Sequence, residues 1–164
     1  MKKILPLMAL ILMLGTSSIS FALDPACEEV LKPSEARTNA PAWQSTTELR
    51  PGLTLEAMKV NGTFYKKMTG GTWNVSPVSI DQMDKQFATD ARSGKLKMSD
   101  CKNAGSETFD GVDSNVITYQ IEIGTAPAAS GKLLIGKSNG LPIMQLTGAS
   151  KVIYQYKNVP APSL

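Results

Sequence analysis

Residues Val116–Val159 constrain the fold more than any other part of the chain. They form four successive runs in which apolar and polar side chains alternate, and the second and third runs meet at the turn Ser138–Pro142. Alternation of this kind predicts antiparallel strands with one apolar face. Because an apolar face has to be covered, the pattern predicts a curved sheet that wraps around other parts of the chain.

Turn signals divide the first half of the chain in a similar way. Asn61-Gly62 separates the runs Leu53–Val60 and Thr63–Met68, and Gly70-Gly71 precedes a further run at Thr72–Val75. Asn-Gly between two strand-like runs is a strong hairpin signal. These segments therefore predict a three-stranded meander.

One internal helix is predicted at Ser79–Ser93, where Ser79 and Gln82 can form a capping pair and Gly94 follows the end. The apolar stripe expected to pack on the sheet recurs at spacings of three and four. Asp81 and Asp84 are expected on the solvated side of this helix. The stripe consists of Ile80, Met83, Phe87 and Ala91.

A second, shorter helix is predicted at Asp24–Leu31. Asp24 can cap it and Pro25 suits its first position. Pro33 is expected to end this helix, because proline lacks the backbone N–H that a helix interior needs. Residues 34–41 are then expected to be an extended connection.

Residues 1–22 are predicted to be a cleaved signal peptide. Lys2 and Lys3 precede the apolar run Ile4–Leu14, and Ser20-Phe21-Ala22 places small residues at the −3 and −1 positions of a cleavage site. A retained membrane anchor is the less favoured alternative, since the apolar run is too short to span a bilayer. We therefore expect a periplasmic protein whose single domain comprises residues 23–164, with no stable membrane insertion.

The two cysteines, Cys27 and Cys101, are predicted to form a disulfide, because paired cysteines in an exported chain usually do. The alternative is two free thiols. A lipidation site at Cys27 is not expected, since Asp24 stands where an apolar residue is required.

The composition argues against catalysis and against nucleic-acid binding. The chain has no histidine, which removes the commonest general base and metal ligand. No phosphate-binding loop, nucleophile elbow or metal-spaced acidic cluster is present. Two of the 17 basic residues lie in the signal segment, and the rest nearly balance the 14 acidic residues, so no basic face is expected. We therefore predict a binding protein rather than an enzyme, without cofactor, metal or nucleic-acid partner.

Four segments resemble the periplasmic lipoprotein-carrier (LolA/LolB-like) superfamily. Lys132–Pro142 resembles its strand–turn–strand run ending in Gly-Leu-Pro, with Leu134 where the family usually has tryptophan. Gly70–Trp73, Asp100–Lys102 and Val152–Pro162 are similar to a hairpin, a cysteine-bearing strand and the closing strand of that family. The resemblance implies an α+β fold in which a strongly curved antiparallel sheet, an incomplete half-barrel, is covered on its concave side by one or two helices.

In the larger carriers of that superfamily the concave side accepts acyl chains. The resemblance therefore implies a lipid or other apolar molecule as ligand. The alternative is a protein-interaction module that uses its sheet edges or concave face to bind a protein partner or a second copy. The side chains expected to line the concave side are Phe64, Phe87, Tyr119, Ile121, Met144 and Tyr154.

Overall fold

The computed structural model describes residues 23–164, so the predicted signal peptide lies outside the described residues. Nine strands form one antiparallel sheet, and two helices of 13 residues each pack on it. In chain order the elements are α1 (Pro25–Arg37), β1 (Ala42–Arg50), β2 (Leu53–Val60), β3 (Thr63–Met68), β4 (Asn74–Val75), α2 (Ile80–Arg92), β5 (Lys97–Phe109), β6 (Val112–Glu122), β7 (Ala129–Gly136), β8 (Pro142–Thr147) and β9 (Ser150–Gln155).

The order of strands in the sheet is β4-β3-β2-β1-β9-β8-β7-β6-β5. The chain runs from β1 to one edge at β4, crosses through α2 to the other edge at β5, and returns strand by strand to β9, beside β1. Because β4 and β5 do not pair with each other, the sheet is open. The structure confirms the predicted α+β fold with a curved, half-barrel sheet.

The predicted turn at Asn61-Gly62 is present, and a turn of the same kind joins β5 to β6 at Asp110-Gly111. Asn61 and Gly62 both have positive φ angles, 49° and 79°, and Asp110 and Gly111 have 49° and 73°. Two successive residues with positive φ form the turn whose twist matches that of the flanking strands. The predicted third strand of the meander is shorter than expected, since β4 contains only Asn74 and Val75.

The end predicted for α1 is wrong. Asp24 caps the helix as expected, with its side chain accepting a hydrogen bond of 2.8 Å from the backbone N–H of Ala26. The helix then continues through Pro33 to Arg37, so the expected extended connection from residue 34 is four residues too long. Pro33 is buried against the sheet, and this packing offsets the hydrogen bond that proline cannot donate.

The predicted helix at Ser79–Ser93 is confirmed as α2, and the Ser79 side chain accepts a hydrogen bond from the backbone N–H of Gln82. Its buried face differs from the predicted stripe. Ala88 and Ala91 are the buried residues, whereas Met83 is 57% exposed. The small alanines allow α2 to approach its neighbours closely, which a stripe of large side chains would prevent.

Apolar side chains cluster on both faces of the sheet. The larger cluster lies between the helices and the sheet, where Val30 and Leu31 of α1 meet Ile117, Tyr119 and Leu133 of the strands. The predicted disulfide between Cys27 and Cys101 is present, contributes to this cluster and joins α1 to β5. A smaller cluster on the opposite face contains Val116, Leu134, Ile143 and Met144.

Neither helix in the described part of the chain, residues 23–164, has the length and apolar character needed to cross a membrane.

Gly131→Ala is expected to destabilise the fold by roughly 1–3 kcal/mol, the usual cost of an overpacked core. A Cβ atom at Gly131 would lie 2.1 Å from Cζ of the Tyr119 ring. That ring is 2% exposed, and its hydroxyl oxygen accepts a hydrogen bond of 3.0 Å from Gln145. The urea concentration at the midpoint of unfolding measures the effect. Gly131→Ala should cost less stability in a Tyr119→Leu background, where the ring is absent, than in the natural chain. An unchanged midpoint for Gly131→Ala alone would contradict the close approach of Gly131 to the Tyr119 ring.

Candidate functional site

The face of the sheet beneath α1 and α2 corresponds to the concave side on which a ligand was predicted to bind. Tyr119 and Ile121 lie on this face but are buried in the main core, at 2% and 4% exposure. The Tyr119 hydroxyl lies 3.1 Å from the Thr147 hydroxyl and accepts the bond from Gln145, so its hydrogen-bonding capacity is used within the protein. These two side chains are packed by protein rather than exposed to a hollow.

Phe64, Phe87 and Tyr154 also lie on the side of the helices. The Phe64 ring packs 6.4 Å from the ring of Trp43, Phe87 of α2 packs against the main core, and Tyr154 lies beneath Arg37. A ligand-binding role for these three side chains, and for Tyr119 and Ile121, stays a prediction.

Met144 does not lie on the helix-covered face. It pairs with Leu134 on β7 and with Ile153 on β9, and it is buried in the cluster on the opposite face. Since side chains alternate along a strand, its neighbour Gln145 is the residue of β8 that faces the helices, where it reaches Tyr119. The prediction that Met144 lines the concave side is therefore wrong.

The space beneath the helices is closed by a buried guanidinium group. Arg37, at the end of α1, donates a hydrogen bond from Nη2 to Oδ2 of Asp84 on α2. Its Cζ atom lies 4.4 Å from the centre of the Trp43 ring and 4.8 Å from the centre of the Tyr154 ring. A guanidinium group stacks favourably on aromatic faces. One side chain therefore joins both helices to strands β1 and β9.

A second buried cation contacts α2 about one turn closer to its amino end. Lys59 of β2 donates hydrogen bonds of 2.7 Å to Oδ2 of Asp81 and to the carbonyl oxygen of Thr38. The side chains of Asp81 and Asp84 are 18% and 16% exposed. The prediction that these two carboxylates form a solvated face is therefore wrong: they continue the face of α2 that carries Ala88 and Ala91, and each meets a buried cation.

Burial changes the titration of this cluster. It raises the pKa of Asp84 above its ordinary value of 3.8, and the adjacent Arg37 opposes that rise. Burial likewise raises the pKa of Tyr154, again opposed by Arg37. The cluster is thus an interior ionic contact, whose partners are costly to separate.

A third link between the helices lies closer to solvent. Arg92 of α2 donates hydrogen bonds of 2.8 and 3.0 Å to Glu28 and of 2.6 and 3.0 Å to Glu35, both on α1. These bonds hold the pKa values of both carboxyls below their ordinary value of 4.5.

An open cleft lies beside α1, outside the space that these contacts fill. Its volume is about 450 Å³. On the strand side, Asn115 and Ile117 occupy alternate positions of β6, with Asn103 and Ile135 opposite them on the neighbouring strands. On the helix side, residues at spacings of three and four form the wall: Ala26, Glu29, Lys32 and Pro33.

The cleft combines an apolar floor with a polar rim. Ile117 and Ile135 supply hydrocarbon surface at the bottom, and the exposed amides of Asn103 on the edge strand β5 and of Asn115 on β6 lie at the rim. Such a site can accept an apolar chain and hydrogen-bond a polar group at its end. The alternation of polar and apolar residues in β6 indicates that Ile117 shares a face with Tyr119, but nothing in the sequence shows that Ile117 borders a cleft beside α1.

Among residues 23–164 no three cysteine, aspartate or glutamate side chains lie close enough together to hold a metal ion.

Asp84→Asn is expected to lower the free energy of unfolding by about 3–5 kcal/mol, since it leaves the Arg37 charge buried without a counter-ion. Chemical unfolding at pH 7 measures this loss. The control is Glu29→Gln, which breaks the exposed pair of Glu29 with Lys32 and should change stability by less than about 1 kcal/mol. Equal effects of the two substitutions would contradict a buried ionic contact.

Arg92→Gln is expected to have a pH-dependent effect. The lowered pKa values of Glu28 and Glu35 add stability that is present above 4.5 and lost as the pH falls through their folded values. The variant should therefore be less stable than the natural chain by up to about 1 kcal/mol at pH 7, because the groups are screened by solvent. The difference should shrink in acid unfolding series below pH 4.5. A difference that stays constant would exclude these carboxylates as its source.

Comparison with solved structures supports the fold. The chain resembles lipoprotein LppX of Mycobacterium tuberculosis, with a TM-score of 0.51 and 12% sequence identity over 85% of this chain and 97% of LppX. MucB in complex with MucA(peri) gives a TM-score of 0.46 at 16% identity, over 83% of this chain and 57% of MucB. The MucA/MucB complex of Pseudomonas aeruginosa gives 0.44 at 14% identity, over 84% and 59%.

No family model matches the sequence, and no curated protein matches it. At these low identities the likeness concerns the fold alone, and LppX is the structure named here whose TM-score exceeds 0.5. The fold is the LolA-like one that the sequence resemblance predicts.

Proposed function

We propose that this chain is a periplasmic binding protein, carrier-like in its fold, that holds a lipid or other apolar molecule in the cleft beside α1. The observation that carries the proposal is a cleft on the helix-covered face whose floor contains Ile117, 7% exposed, and the half-buried Ile135. Its volume of about 450 Å³ falls within the usual range of small-molecule sites.

The shape of the cleft favours a slender ligand with a polar end. The floor is apolar, whereas Glu29, Lys32, Asn103 and Asn115 surround the opening. Glu29 and Lys32 form an ion pair with each other, so the rim has no uncompensated charge from them. Removing an acyl chain from water stabilises the complex by about 0.8 kcal/mol for each buried CH₂ group. The rim amides can hydrogen-bond a hydroxyl, ester or carboxyl group at the end of the chain.

The disulfide and the predicted signal peptide together support the proposed periplasmic location. Disulfides persist in oxidising compartments and are rare in the cytosol. The bond between Cys27 and Cys101 closes a loop with a sequence separation of 74 residues, which stabilises the folded chain by about 4 kcal/mol in the chain-entropy description. Both features support export.

A protein-interaction module is the second candidate. The observation that favours it is the free edge of β5, a strand of 13 residues at the end of the sheet, to which a partner strand could be added. Register shifts between Ser99 and Lys102 and between Asn103 and Ser106 interrupt this edge. Since such bulges protect edges from pairing, we place this function second. A concentration-dependent dimer in light scattering, without lipid binding, would favour it over the first.

Asn115→Trp is expected to weaken binding of a fluorescent fatty-acid probe by at least about tenfold, since an indole ring would occupy the opening of the cleft and exclude much of the chain. Asn115 is exposed on β6, so the larger side chain does not disturb the core. Fluorescence titration measures the affinity, and mass spectrometry of protein purified from the periplasm identifies any bound lipid.

Asn74→Trp is the matched control, because Asn74 is an exposed strand residue that does not line the cleft. It should bind the probe as the natural chain does. Failure of the natural chain to bind any fatty-acid probe, or equal binding by both variants, would contradict the proposed site.

A further inference from the structure

A second cavity, of about 590 Å³, lies apart from the cleft beside α1. Three segments surround it: the β5–β6 turn at residues 109–112, the β7–β8 turn at residues 138–139, and the end of β9 with the residues after it, 153–158. We propose that this cavity binds a neutral oligosaccharide.

The walls of the cavity are held in place by the protein itself. The Tyr156 hydroxyl donates a hydrogen bond of 2.8 Å to the carbonyl oxygen of Pro142, and Lys151 Nζ lies 5.7 Å from the centre of the Phe109 ring. Asp110 and Asn158 have positive φ angles of 49° and 54°, which fix the direction of the two segments that carry them. The cavity is therefore largely formed before a ligand arrives, which lowers the entropy cost of binding.

Its chemistry combines aromatic rings with amides. Phe109 and Tyr156 are half-buried and offer apolar surface, while Asn139, Gln155 and Asn158 are exposed around them. Part of two of these amides is used within the protein, since Oδ1 of Asn139 accepts a hydrogen bond from the backbone N–H of Leu141 and Nε2 of Gln155 donates one to the carbonyl oxygen of Lys157. A side-chain amide carries donors and an acceptor together. A sugar ring presents the complementary pattern, since its C–H groups form apolar faces and each hydroxyl both donates and accepts. Stacking on the rings and bonding to the amides can thus occur in one pose.

The charges of the lining favour a neutral ligand. Asp110 and Lys157 are the charged residues among those that line the cavity, and neither forms an ion pair within residues 23–164. These two charges cancel within the lining, and Lys151 beside the Phe109 ring adds a positive charge outside it. The lining itself therefore has no excess of cationic donors for a phosphate or sulfate group. An acyl chain fits poorly as well, because it would cover the amides without pairing them.

The test is a titration of the ¹⁵N-labelled protein with three soluble probes: the trimer of N-acetylglucosamine, maltotriose and cellotriose. At least one of them should shift the amide signals of residues 109–112, 138–139 and 155–158 together, while those of Ala26–Pro33 stay unchanged. Absence of these shifts with all three sugars, or shifts confined to the cleft beside α1, would overturn the proposal.

The diagnostic variant is Asn158→Gly, which removes the amide and keeps the backbone unstrained, since glycine readily adopts a positive φ. It should weaken binding of the sugar by about three- to tenfold, the usual effect of losing one hydrogen bond. Asn61→Gly makes the same exchange at the distant β2–β3 turn, where φ is 49°, and should leave the affinity unchanged. Equal affinities of the two variants would remove Asn158 from the site and overturn the assignment.

Discussion

The buried guanidinium group of Arg37 decides how the helices and the sheet fit together. It pairs with Asp84 of α2 and stacks on Trp43 and Tyr154, which lie on the two central strands β1 and β9. A buried charge of this kind needs its partner, because an unpaired ion in a protein interior is costly. The position of α2 is therefore set by the requirement to satisfy Arg37, and Lys59 adds the same requirement through Asp81.

This constraint bears on where the proposed ligand would bind. The space beneath α2 contains ionic groups and aromatic rings that contact one another, while Nε of Arg37, Nε1 of Trp43 and Oδ1 of Asp81 are buried there without a hydrogen-bond partner among residues 23–164. On the same face an open cleft lies beside α1, with Ile117 and Ile135 at its floor. The disulfide from Cys27 to Cys101 holds α1 against β5, and so keeps one wall of this cleft in place. One face of the open sheet thus has two regions. Ionic groups and aromatic rings pack beneath α2, and an open cleft lies beside α1.

The sequence predicted the sheet well, because an Asn-Gly turn and the alternation of polar and apolar side chains can both be recognised from neighbouring residues alone. The turn at Asn61 is an example. It failed where partners are distant in sequence. Arg37 and Asp84 are 47 positions apart, so periodicity alone placed Asp84 in solvent. A signal was present: Asp81, Asp84, Ala88 and Ala91 continue one face of α2 at spacings of three and four. The end of α1 was predicted wrongly for the same reason, because the burial of Pro33 in the folded chain cannot be recognised from its neighbours in sequence.

The most direct test of the account is to locate the ligand with stearic acid that carries a nitroxide near the end of its chain. Paramagnetic attenuation of amide signals in the labelled protein reports which residues lie near the nitroxide. The account predicts the strongest attenuation at Ile117 and Ile135 and along the cleft wall of α1, with weak effects at Phe64. Strongest attenuation around Phe64, Trp43 and Tyr154, or none at any residue, would contradict the claim that the interior beneath α2 is filled and the ligand lies beside α1.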